Sequence, residues 1–109
     1  MNTQERRDRF LMILSARRKV TVRELMREFH VCRSTVLRDI EYLTSFACFY
    51  TVEGRSGGIF ADDSWHYKPP VLTPAMESTL KDILDGKEPD RDVIICILQA
   101  FGTNKNKLG

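Results

Sequence analysis

The chain has 109 residues, of which 42% are apolar and 29% charged, and its formal net charge is +2. That length suits one compact domain, or a small one with an appended element, and the apolar share is enough for a core. No apolar run approaches the ~18–20 residues that cross a bilayer, and the opening MNTQERRDRF lacks the apolar centre of a secretion signal.

The charge is unevenly placed. Residues 1–58 hold 11 Lys/Arg against 7 Asp/Glu, and residues 59–109 hold 6 against 8. Lys19 apart, every cation of the first half is an arginine. An anionic partner for the N-terminal half is the implication. The three cysteines, Cys32, Cys48 and Cys96, form no CxxC pair. They make no disulfide framework and read as small apolar fillers in a reducing, cytoplasmic setting.

The first segment, TQERRDRFLMILSARR, places Phe10, Ile13 and Leu14 on a helical stripe with Leu11 beside them. Thr3 is the expected cap, and the helix should end near Arg17 and Arg18, where cations suit the helix dipole. In KVTVRELMREFHV, Thr21 and Glu24 have the spacing of a capping box. Leu25, Met26 and Phe29 then form a buried stripe over about two turns, and His30 closes the helix. A third helix is expected from Arg33 to Ser45 after a very short turn, which is a helix-turn-helix layout.

The period then changes. ACFYTVEG is aromatic and β-branched, so a strand is expected from Cys48 to Glu53. GRSGG is a turn, and IFADD a second strand, residues 59–63. Three helices followed by a hairpin make a winged helix-turn-helix of the α+β class, mostly helical. DSWHYKPPVLTP, with tandem prolines and no period, reads as a linker over 64–73, with Trp65 and Tyr67 covering an edge of the core. Thr73 and Pro74 open a fourth helix with Met76, Leu80, Ile83 and Leu84 on one face, ended by Gly86. Asp90 caps a last helix carrying Val93, Ile94, Ile97, Leu98 and Phe101, stopped by Gly102. The division expected is therefore 1–63 for the winged domain, 64–73 for the linker, 74–102 for a helical hairpin extension and 103–109 for a frayed tail.

The third helix, within VCRSTVLRDIEYL, carries the chemistry. At 100° per residue Val36, Ile40 and Leu43 point to the core. Ser34, Arg38 and Glu41 point away, with Thr35 and Tyr42 on one flank and Leu37 on the other. A recognition helix enters the major groove with its N-terminal residues near base edges. Arginine binds guanine bidentately, worth ~1–3 kcal/mol of discrimination. Arg38 is the expected base reader, with Arg33, Ser34 and Thr35 around it and Tyr42 within reach of a phosphate. Asp39 sits off this face and is expected to pair with an arginine of a neighbouring helix. At the hairpin tip, Arg55 and Ser56 are expected to meet phosphate or the minor groove. Glu41 opposes DNA, since phosphates repel it.

The run RRDRFLMILSARRKVTVRELMREFHVCRSTVLRDIEYL followed by GRSGGIF resembles the DeoR-type winged-helix DNA-binding domain, as found at the N-terminus of WYL-containing regulators. Glu24 and Leu25 match the pair that opens the family's second helix. Thr35, Val36, Arg38, Asp39 and Ile40 match its T-[IV]-x-R-D-[IL] string, and Gly57 and Gly58 match its wing. The similarity covers roughly residues 5 to 62. Cys32 stands where the family has a serine cap, and Leu37 where it has a polar or basic residue. The resemblance implies a transcription regulator that binds double-stranded DNA. It also implies a large effector domain, which ~40 residues after the linker do not hold, so no small-molecule effector is expected.

The last helix is apolar around more than half its circumference, and a homodimer through the C-terminal helices is expected. Two half-sites multiply modest affinities. Enzymatic motifs are missing: there is no P-loop, no GxGxxG after a strand and no HExxH. His30, Cys32, Cys48 and His66 have no zinc spacing. Neither enzyme activity, nor a cofactor, nor a metal is expected. The rival reading is a winged-helix adaptor that docks proteins and does not bind DNA.

Overall fold

In the computed structural model, which describes residues 1–103, the chain forms α1 (Thr3–Arg17), β1 (Lys19–Val20), α2 (Val22–Phe29), α3 (Arg33–Leu43), β2 (Phe49–Val52), β3 (Gly58–Ala61), α4 (Pro74–Leu84) and α5 (Arg91–Phe101). It divides into two compact units, Met1–Trp65 and the segment from His66 onward. The frayed tail expected at 103–109 lies, from residue 104, outside the described residues.

The first unit is a winged helix-turn-helix. Its core joins Phe10, Ile13 and Leu14 of α1 to Val20, Leu25, Val36, Ile40, Leu43, Ile59 and Ala61. Each large side chain buried this way contributes ~1.5–3 kcal/mol. Leu11, Met26, Phe29, Phe49 and Trp65 close the rim, so Trp65 covers an edge of the core as expected. Phe10 and Phe49 meet with ring centroids 5.9 Å apart.

Local structure differs from expectation at several ends. Asn2, not Thr3, caps α1: its side-chain oxygen accepts from the Glu5 amide at 2.8 Å. This register puts Glu5 in the first turn, where the helix dipole favours a carboxylate. The third helix stops at Leu43, two residues early, the first hairpin strand is trimmed to 49–52, and the second runs over 58–61, starting one residue before and ending two residues short of expectation. A third strand was not expected. β1 pairs antiparallel with β3, Lys19 opposite Phe60 and Val20 opposite Ile59, so the sheet order is β1-β3-β2. In the hairpin Tyr50 lies opposite Phe60 and Val52 opposite Gly58.

Arg18 makes the corner between α1 and β1. It adopts the left-handed conformation at φ 70° and returns its amide to the Leu14 carbonyl. Its own carbonyl accepts from the Ala61 amide at 2.9 Å. Its guanidinium donates to the carbonyls of Ser15, Asp62 and Trp65.

In the second unit Thr73 caps α4 and Asp90 caps α5. Met76 and Thr79 of α4 are buried, as are Val93 and Cys96 of α5. The apolar face expected on α4 is only half covered. Leu80, Ile83 and Leu84 are exposed, Leu84 at 86%, and so are Leu98 and Phe101 of α5.

Candidate nucleic-acid interface

α2 and α3 are joined by a tight turn with sharply defined ends. Thr21 and Glu24 form the reciprocal capping box that opens α2. His30 closes it in the left-handed conformation at φ 54°, its amide bonded to the Met26 carbonyl. Cys32 is then the N-cap of α3 and makes no side-chain cap bond. Its Sγ lies instead 3.1 Å from Ser34 Oγ and 3.3 Å from Thr35 Oγ1. Hydrogen bonds from Ser34 and then Thr35 draw the exposed thiol down to about 6. This lowering favours the thiolate form at the helix N-terminus.

The inner face of α3 buries Val36, Ile40 and Leu43, as the wheel requires. Asp39 is also buried and pairs with α1. Its carboxylate accepts from Arg6 Nη2 at 2.8 Å and from Arg7 Nε at 2.9 Å, with a further bond from Arg6 Nε. Burial works against the Asp39 charge, but the two guanidiniums outweigh it and hold the carboxyl below its usual range. The same contact raises Arg6. The expected division of the Arg-Asp pair is thus met on the Asp39 side.

The outer face carries Arg33, Ser34, Leu37, Arg38, Glu41 and Tyr42, all exposed, with Thr35 half-buried. The five predicted site residues of this helix therefore share one stretch of surface. Ser34 and Thr35 turn their hydroxyls to Cys32, a contact that periodicity does not reveal. Tyr42 is engaged on both sides. Arg7 stacks its guanidinium 3.9 Å from the ring centroid, and Phe46 packs at 5.0 Å. Arg7, Arg38, Glu41, Tyr42, Ser45 and Phe46 line a shallow groove there.

Arg55 and Ser56 sit exposed at the tip of the hairpin. Two glycines shape that tip. Gly54 has φ 101°, and a Cβ on Gly57 would come 2.1 Å from the Val52 carbonyl oxygen. Lys19 Nζ reaches the Ser56 carbonyl at 3.5 Å and also lies over the Phe60 ring, which stacks on Tyr50 at 5.4 Å. No hydrogen bond or ion pair among the described residues links the wing tip to α3.

Apart from Arg9, the arginines of the first unit fall into two sets. Arg6, Arg7, Arg17 and Arg18 are held by carboxylates or carbonyls of the fold. Arg23, Arg27, Arg33, Arg38 and Arg55 are exposed and make no hydrogen bond or ion pair among the described residues.

The model of the HTH domain family matches residues 6–60. The chain belongs to the HTH domain family. Neither the search of curated proteins nor the search of solved structures gave a significant match. The matched span runs from the arginines that hold Asp39 to β3, the central strand of the sheet. Helix-turn-helix domains bind DNA and are typically not enzymes. Among the described residues no group of three His, Cys, Asp or Glu is placed to hold a metal ion. No helix there is long and apolar enough to cross a membrane.

Proposed function

We propose that this protein is a sequence-specific transcriptional regulator of the DeoR-like kind, acting in the cytoplasm. α3 lies in the major groove of double-stranded DNA, and the 54–58 wing lies on the backbone or in the minor groove. Arg38 reads base edges, with Arg33, Ser34 and Thr35 around it. Tyr42, Arg55 and Ser56 meet the sugar-phosphate backbone. Residues 1–63 form the DNA-binding part, 64–73 a linker, and 74–102 the element through which two copies pair. No small-molecule effector is assigned.

One observation carries the reading. Arg33 and Arg38 stand exposed and unpaired on α3 while Asp39, on the same helix, is locked to α1. A helix fixed from behind with free guanidiniums in front is preorganised for an anionic groove. The exposed Leu80, Ile83, Leu84, Leu98 and Phe101 support the pairing of two copies, because burying this number of exposed apolar side chains favours association.

Selection of bound duplexes from a random library tests both parts. A palindromic consensus is expected, and Arg38→Ala should relax it at one position of each half-site. Recovery of no consensus, with no duplex binding at ~50 mM salt, would refute the reading. That outcome would favour the adaptor function, for which the exposed Leu37, at 43%, and Phe46, at 66%, are the motivating observation.

A further inference from the structure

Two residues on the outer face of α3 gain nothing from a DNA backbone. Leu37 is exposed, and it is not one of the side chains that close the core. Arg33, Ser34 and Glu41, its neighbours one turn away on that side, are exposed as well. The Glu41 carboxylate makes no hydrogen bond or ion pair among the described residues, although the free Arg38 precedes it by one turn. Phosphate repels the carboxylate and offers the leucine nothing.

The major groove holds one kind of partner for each. Its acceptors, guanine N7 and O6, adenine N7 and thymine O4, all repel a carboxylate, and its donors are the amino groups of cytosine and adenine. Its apolar projection is the C5-methyl of a pyrimidine. Leu37 and Glu41 stand four residues apart, about 40° around the helix and ~6 Å along it. The groups they meet must therefore also lie side by side. A 5-methylcytosine carries the methyl and the amino group on one base. A thymine stacked beside a cytosine or an adenine carries them on successive bases, about 3.4 Å apart along the strand.

We propose that the Leu37–Glu41 flank of α3 recognises a pyrimidine C5-methyl group lying next to an exocyclic amino group. This rests on the DNA reading above and adds to it the chemistry of a second position, separate from the base that Arg38 reads. Leu37 acts by covering the methyl group. Glu41 acts by attraction to the amino group and by exclusion, since a guanine or a thymine O4 in that place faces an unpaired carboxylate. The same carboxylate weakens binding to every duplex that lacks the feature. This flank therefore sharpens discrimination and lowers nonspecific affinity.

The experiment is fluorescence anisotropy on the full chain at fixed salt, with the duplex selected from the random library and one of random sequence. In the selected duplex, thymines are replaced singly by uracil and cytosines singly by 5-methylcytosine, so that only a methyl group is lost or gained. If a thymine supplies the methyl group, one uracil replacement should weaken wild-type binding about 4-fold, the ratio for covering one methyl group. If 5-methylcytosine supplies it, one such replacement should strengthen binding by about the same factor. Leu37→Ala should erase whichever response is seen. Glu41→Ala should tighten binding to the random duplex and narrow its gap to the selected one. Wild-type binding that no replacement alters overturns the methyl reading alone, and so does a response that survives in Leu37→Ala. A Glu41→Ala variant that keeps the wild-type gap between the two duplexes overturns it too. If the wild-type chain binds neither duplex, this proposal and the DNA reading fall together.

Discussion

Replacing Asp39 by asparagine keeps the shape of the side chain and removes its charge. In the folded protein the carboxylate accepts three bonds from two guanidiniums and its side chain is only 5% exposed. Breaking a fully buried ion pair by removing one partner costs about 3–5 kcal/mol. Here the arginines keep some contact with water, with side chains 14% and 18% exposed, so part of their hydration is recovered. The expected loss is therefore about 2–4 kcal/mol at pH 7. Urea unfolding followed by circular dichroism measures it.

The pH dependence supplies a second arm. The folded Asp39 carboxyl titrates below its usual value, while the unfolded one titrates near 3.9. A depressed carboxyl stabilises the fold fully above the unfolded value and loses that contribution as pH falls through the folded one. The gap between wild type and Asp39→Asn should thus be flat above about pH 5 and shrink in stronger acid. A loss under about 0.5 kcal/mol at pH 7, or a gap unchanged down to acid pH, would show that Asp39 does not anchor α3.

Three further outcomes are expected. Cys32→Ser supplies the missing cap at an N-cap position with extended geometry, and should raise stability by about 0.5–1 kcal/mol in the same urea assay run at about pH 5, where the thiol, drawn down to about 6, is protonated. Alkylation of Cys32 by iodoacetamide should reach half its maximal rate at about 6 on the pH scale; a midpoint near that of free cysteine would mean that Ser34 and Thr35 do not donate to it. Gly57→Ala forces a Cβ onto the Val52 carbonyl and should cost about 1–3 kcal/mol while abolishing wing contacts, whereas Gly54, with open space around it, should tolerate alanine at only the cost of its positive φ; chemical-shift changes confined to β2 and β3 check this.

The helices were legible because each buries a stripe of period 3.6, and the cap residues Thr21, Thr73 and Asp90 mark their starts. β1 was not legible, since two residues carry no period and their partner in β3 is far along the chain. Thr3 and Asn2 are adjacent good caps, and the spacing alone does not choose between them. The face of α4 shows where helical spacing stops informing. Met76 and Leu84 belong to one apolar stripe, yet one is buried and the other bare, because the pattern says which side wants cover and not what supplies it. At the interface, the wheel placed Arg38 outward and Asp39 off that face. It could not reveal that Arg7 would hold both Asp39 and the Tyr42 ring, nor that Cys32 would recruit Ser34 and Thr35. Those are contacts across elements, or between side chains whose rotamers the spacing does not set.

The corner at Arg18 has a consequence for the order of folding. The hairpin of β2 and β3 is closed by a short turn and forms locally, whereas Lys19 and Phe60 must meet across most of the first unit. Arg18 accepts the Ala61 amide on one side and grips the Asp62 and Trp65 carbonyls on the other. Its bonds therefore exist only after the helices have collapsed and the wing has swung home. The bonds that Arg18 makes across the chain are expected to open before the local ladder of the hairpin does. Hydrogen exchange checks this: the Ala61 amide, bonded to the Arg18 carbonyl, should exchange faster than the amides along the hairpin ladder itself.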